Sequence, residues 1–201
     1  MMSDNIMDRL RNDTKTAHQQ LEKVTIPYIK KATDDQQYAV LLHMFYGYFK
    51  QVETRIHALV DKTLLPDIEE RRQSAALEDD LKIIGNTAPL VLSHEIPNLQ
   101  TVPQALGAMY VLEGSTLGGQ HISKMLAKQL NRTAENGISF FSGYGAATMG
   151  KWGIFTAMMN EYAAQHPLLM NEIVAAADET FEKFGVWVAH FEAKQTAAMN
   201  S

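Results

Sequence analysis

From Ile6 to Phe191 the apolar residues of this chain recur at intervals of three and four, and no segment alternates with period two over a convincing length. That property confines the chain to helices, because a stripe of period 3.6 cannot present one face as a strand. Ile6, Leu10, Ala17 and Leu21 mark a first helix, with Ser3 or Asp4 as its cap and Pro27 as its end. Asp34 and Asp35 cap a long second helix whose apolar face runs from Tyr38 through Phe45, Phe49 and Val52 to Val60, closed by Pro66. A more polar helix follows over about 67–84, then a proline-punctuated loop from Gly85 to Thr101. Periodicity returns from Val102 to about Leu130. Residues 131–150 read as a glycine-rich loop holding Phe140 and Phe141. Trp152, Phe155, Met159 and Tyr162 mark another helix, and Pro167 opens the last, which carries Ile173, Phe181, Phe184, Trp187 and Phe191. The expected fold is all-α, a single-domain helical bundle of six to eight helices over residues 1–201.

Composition narrows the function. Of 201 residues, 46% are apolar, enough for one sizeable core. A net charge of -5 with no basic run makes the chain a poor ligand for nucleic acid. No apolar stretch reaches the length of a membrane span, and none near the start has the form of a signal peptide. Cysteine is absent, which removes thiolate nucleophiles, iron–sulfur ligation and disulfides, and fits a cytoplasmic location. Eleven methionines and eight phenylalanines suit a core, or a pocket around a large flat ligand.

One segment breaks the helical economy. Tyr110-Val-Leu-Glu-Gly-Ser-Thr-Leu-Gly-Gly-Gln120 lies inside a periodic run yet holds Gly114, Gly118 and Gly119. Each glycine costs about 1 kcal/mol against alanine, so the three cost about 3 kcal/mol. Gly114 and Gly118 are four apart and share a face, and a face without side chains lets another group lie on the backbone and invites a kink. That group is either a neighbouring helix or a flat ligand.

His18 falls on the inward side of the first helix with Leu10, Ala17 and Leu21. Such a histidine is a hydrogen-bonded core residue or a metal ligand. Glu22, four residues on, is spaced to accept a hydrogen bond from the imidazole nitrogen left free by a metal. Arg11 lies seven residues before His18, either as a solvated charge or as the partner of an anionic ligand tail. No HxxxH, HExxH or ExxH pair occurs, nor GxSxG, GxxxxGK[ST] or GxGxxG. A single-histidine site is the remaining metal option, and haem iron accepts one protein ligand.

Together the two segments resemble the haem oxygenase family, especially its bacterial members. The opening helix Leu10, Arg11, Thr14, His18, Glu22 and the distal helix Gly114, Ser115, Gly118, Gly119 carry the likeness. The resemblance implies haem between the first helix and a kinked glycine-containing distal helix, with His18 as iron ligand and Glu22 behind it. It implies Gly114, Ser115 and Gly118 as the distal catalytic segment, with Gly119, Phe141 and Phe181 lining the pocket. Arg11 and Lys151 become propionate partners. Ser115 stands where animal members carry aspartate, and Phe155 stands one turn after Lys151 where a second basic residue is expected. The implied activity is O2-dependent cleavage of haem, both cofactor and substrate, to biliverdin with release of iron and carbon monoxide. The chain has no flavin or nicotinamide motif, so electrons come from a ferredoxin or flavoprotein reductase. The competing readings are a non-catalytic haem carrier or sensor of the same fold, a thiamin-degrading relative disfavoured by the missing cysteine, and an all-α interaction protein.

Overall fold

In the computed structural model, which describes residues 5–71 and 73–199, all regular secondary structure is helical. Ser3 and Asp4 lie outside the described residues, and Asn5 caps the first helix by accepting the Met7 N–H at 2.9 Å. The expected single first helix is two, α1 (Ile6–Asp13) and α2 (Lys15–Lys31). Thr14 makes the joint. It leaves helical geometry at φ -93° and ψ 3°, and its buried hydroxyl donates to the Leu10 carbonyl at 2.7 Å. The Thr14 N–H also reaches that carbonyl, at 3.1 Å, so the joint is a change of direction rather than a loss of hydrogen bonding. Pro27 does not end α2. Its ring sits on the exposed side, while buried Ile29 and Ala32 hold the last turn against the core.

The second long helix, α3 (Asp35–Leu59), begins as expected, with Asp34 accepting the Gln37 N–H at 2.8 Å. It stops before Pro66, at Val60, where the chain turns extended and the Asp61 carboxylate collects the N–H groups of Thr63 and Leu64. The polar helix expected over 67–84 is a 3-10 turn, Ile68–Glu70, followed by α4 (Gln73–Ile83). The central helix α5 (Val102–Leu130) opens on a reciprocal capping box between Thr101 and Gln104 and closes on Asn131 in the left-handed region. It keeps α-helical structure through Gly114, Gly118 and Gly119. The glycine-rich stretch holds a short helix, α6 (Ser139–Ser142), flanked by 3-10 turns, and leads into α7 (Thr148–Gln165) and α8 (Met170–Met199).

Four residues cannot satisfy their own N–H groups, so α6 takes its acceptor from elsewhere. Fully buried Asp80 on α4 accepts the Ser139 N–H and hydroxyl, each at 2.8 Å, and the Phe140 N–H at 2.9 Å. Burial pushes the Asp80 carboxyl above its usual range, and these donors pull it back down. Phe140 and Phe141 thereby enter an aromatic cluster with Phe45, Phe49 and Phe184, rings meeting edge to face at 5.2–5.6 Å. Tyr48 stacks on Phe184 at 4.6 Å and donates to the Thr180 carbonyl, while the Trp187 indole donates to the Met44 carbonyl. These contacts fix α8 against α3. From there α8 also packs along both α5 and α2, so one helix sets the spacing of the two segments that matter for function.

Candidate functional site

The glycines of α5 separate into two kinds. A β-carbon at Gly119 would lie 2.8 Å from the Phe141 carbonyl oxygen, so this residue is glycine because α6 approaches its backbone. Gly114 and Gly118 have no such reason. A β-carbon at Gly114 would meet only the rim of Trp152 at 3.9 Å, and one at Gly118 would meet nothing within 4 Å. Neither has a positive φ. The helix therefore gives up about 1 kcal/mol at each position with no return from the fold. A Gly118→Ala variant is expected to be more stable than the parent by about 1 kcal/mol, and Gly119→Ala less stable by about 1–3 kcal/mol through overpacking. Chemical denaturation of the two proteins side by side gives both numbers, and equal signs would contradict this division.

Around the open face, Tyr110 lies one turn before Gly114 on the same stripe. Tyr110, Trp152, Thr156 and Asn160 line an open groove of about 320 Å³ together with Arg11 on α1. The Arg11 guanidinium is largely exposed and pairs with Asp8 at 2.8 Å, so it is tethered only at the surface. Ser115 is exposed, and its hydroxyl donates to the Leu112 carbonyl at 2.6 Å. Gly118 and His121, at three-residue steps along the helix from Ser115, are exposed as well, while Gly119 between them is buried.

His18 is not a core histidine. Half of its side chain is open to solvent, and its ring packs on Phe181 of α8 with centroids 5.1 Å apart. Glu22 Oε1 stands 3.7 Å from His18 Nε2, an ion-pair separation beyond hydrogen-bonding distance. The Thr14 joint falls between Arg11 and His18, so the two do not share a continuous helix face.

Two other expected positions are placed differently from the simple motif. Lys151 turns its ammonium to Asp67 at 3.1 Å and Glu70 at 2.5 Å and is largely covered. Phe155 is buried beneath Arg71, whose guanidinium carbon lies 6.0 Å from the ring centre, so this position belongs to the core. Phe141 is buried among Phe45, Phe140 and Tyr38.

Sequence reasoning passed over a buried charge cluster behind Gly114. Arg71 donates to Glu113 through Nη1 and to Asp67 through Nε at 2.9 Å and Nη2 at 3.0 Å. The Tyr144 hydroxyl donates to the other Glu113 oxygen at 2.9 Å. Burial pushes the Glu113 carboxyl above its usual range, against the pull of Arg71 and Tyr144. The signal was present in Val111-Leu112-Glu113-Gly114: a lone carboxylate in an apolar run needs a buried partner.

The molecule thus sets a half-exposed imidazole on α2 and an open glycine face on α5 within an all-helical fold. Residues 4–190 match the family model described as Heme oxygenase, and the chain belongs to that family. Its fold is that of a solved Neisseria meningitidis haem oxygenase, studied in NO- and CO-bound forms; the two are 21% identical, with a TM-score of 0.77 over 94% of this chain and 92% of that one. Among curated proteins no sequence matches this chain. No helix among the described residues is long and apolar enough to cross a membrane.

Proposed function

We propose that this protein is a haem oxygenase, cleaving haem to biliverdin with release of iron and carbon monoxide, with the whole chain acting as one domain. The observation that carries the proposal is the open glycine pair on α5: Gly114 and Gly118 cost helix stability and serve no contact within the protein. The residues present fit haem. A flat ring needs one face of bare backbone and one ligand to iron, and Gly114, Gly118 and the half-exposed His18 offer these.

In this reading His18 binds the iron and Glu22 draws closer to orient its ring. Phe181, already against His18, and Phe141 frame the pocket. Arg11, held only by an exposed partner, is free to turn to a propionate in the groove beside Tyr110. Lys151 contributes to that anchoring only by leaving two carboxylates, so Arg11 carries more of it. Bound haem supplies the iron that activates O2 and the porphyrin edge that is oxidised. The chain places no side chain at Gly114 or Gly118 that could act as a strong acid or base over that face. Ser115 spends its hydroxyl proton on the Leu112 carbonyl, so it orders neighbouring water as an acceptor. Gly119, locked to Phe141, keeps the segment at fixed depth. Electrons come from a separate ferredoxin or flavoprotein reductase.

Haem titration followed by aerobic reaction with ascorbate or a reductase tests the proposal. A Soret band that forms and then gives way to bilin absorbance is the expected result. A stable Soret band with no bilin means a haem carrier or sensor, and no Soret band removes haem altogether. Gly118→Ala, which stabilises the ligand-free protein, is expected to weaken haem binding about tenfold, because its methyl group fills the space the ring needs.

A further inference from the structure

The contact between α5 and α8 includes one close backbone approach. Gly107 of α5 meets the Ile173 carbonyl, Ala176 and Ala177 of α8. This contact, with buried Leu106, Met109 and Ile173 around it, holds the first half of α5 against α8. Seven residues later the ligand-facing stretch begins. What meets α5 there is directional: Glu113, immediately before Gly114, is gripped by Arg71 on one oxygen and by Tyr144 on the other. Arg71 is itself tied to Asp67 and to the Lys151 carbonyl at 2.8 Å, and Lys151 to Asp67 and Glu70. The inner four charges, Asp67, Arg71, Glu113 and Lys151, cancel. They join the 3-10 turn before α4, the start of α7 and α5 itself, and Tyr144 adds the loop after α6. A buried ion pair is a poor source of stability compared with apolar packing, but its geometry admits one arrangement where packed methyl groups admit several.

We propose that Glu113 is a positioning residue. Through Arg71 and Tyr144 it fixes the rotation and register of α5 at Gly114–Gly118, and so sets how closely the bare backbone approaches a ligand on that face. The inference rests on the reading of that face as the haem-binding one. It is tested in two ways with Glu113→Gln, which keeps the shape and removes the charge, and with Tyr144→Phe, which removes the hydroxyl that donates to Glu113 and keeps the fold should the first variant fail. In ligand-free protein, hydrogen–deuterium exchange of amides 114–119 is expected to rise about fivefold, with α8 amides 170–185 unchanged. In the ferrous haem complex, the stretching band of bound CO, which senses the distal backbone, is expected to shift or split while the Soret band stays. Unchanged exchange at 114–119, or an equal rise in α8, overturns the proposal and leaves the cluster a general stabiliser. Failure of the parent protein to bind haem sinks the functional reading instead, and the exchange measurement still decides the role of Glu113.

Discussion

A His18→Ala variant is expected to fold normally, to lose the Soret signature of histidine-ligated haem and to form no bilin. The fold is spared because the side chain is half in solvent and its one ring contact is with Phe181. The chemistry is lost because His18 is the sole iron ligand in the proposed site. Added imidazole is expected to restore the Soret band, since the Phe181 wall and the glycine face remain to shape the cavity. Glu22→Gln gives a graded control. A partner behind a metal-bound histidine is typically worth 10–100-fold in metal affinity, and the 3.7 Å separation places Glu22 near the lower end, about tenfold. His121, exposed beyond Gly118 on α5, is the other imidazole near this face. An unaltered Soret band in His18→Ala, lost instead in His121→Ala, sinks the assignment of the ligand.

Arg71→Ala is expected to destabilise the protein by about 3–5 kcal/mol, because it leaves the buried Glu113 carboxylate without its countercharge, while Asp67 keeps Lys151. The Arg71 side chain is 1% exposed, and it serves Glu113, Asp67 and the Lys151 carbonyl together. For a chain of this size that is a fall in Tm of about 10 °C. The pH dependence carries a sign. Without Arg71 the Glu113 carboxyl, already pushed up by burial, rises further above its unfolded value. A carboxyl raised on folding binds more protons in the folded state, so stability from it is present at low pH and lost as pH rises through the folded pKa. The deficit against the parent is therefore expected to shrink on going from pH 7 to pH 5. Denaturant titrations at the two pH values measure it; a loss below about 1 kcal/mol at pH 7 contradicts the burial argument.

Helical periodicity made most of the bundle legible, because α3, α5 and α8 each bury a long apolar stripe. The errors have local causes. The first helix breaks at Thr14, whose backbone leaves helical geometry in a way no periodicity records, and Pro27 stays within α2 because tertiary packing outweighs a missing N–H on an exposed turn. At the site, the three glycines were visible as an energetic anomaly, but only the fold divides Gly119, pressed by Phe141, from Gly114 and Gly118, which face open space. Lys151 looked available because its partners Asp67 and Glu70 lie more than eighty positions earlier in the chain. His18 was ambiguous by spacing alone, and its exposure and its contact with Phe181 are what distinguish it from a core histidine.

Asp80 has a consequence that reaches past its own helix. The backbone of Ser139 and Phe140 is anchored by this carboxylate on α4, a helix that supplies none of the proposed site residues. Phe141 in turn is what Gly119 rests on. Injury to Asp80 thus removes the polar anchor of α6 on α4 and reaches the backbone that Gly119 faces, although the aromatic cluster and the Ser123–Ser142 bond still hold the segment. Substitutions at Asp80 are therefore expected to alter haem binding in the proposed site without touching any residue proposed to line it.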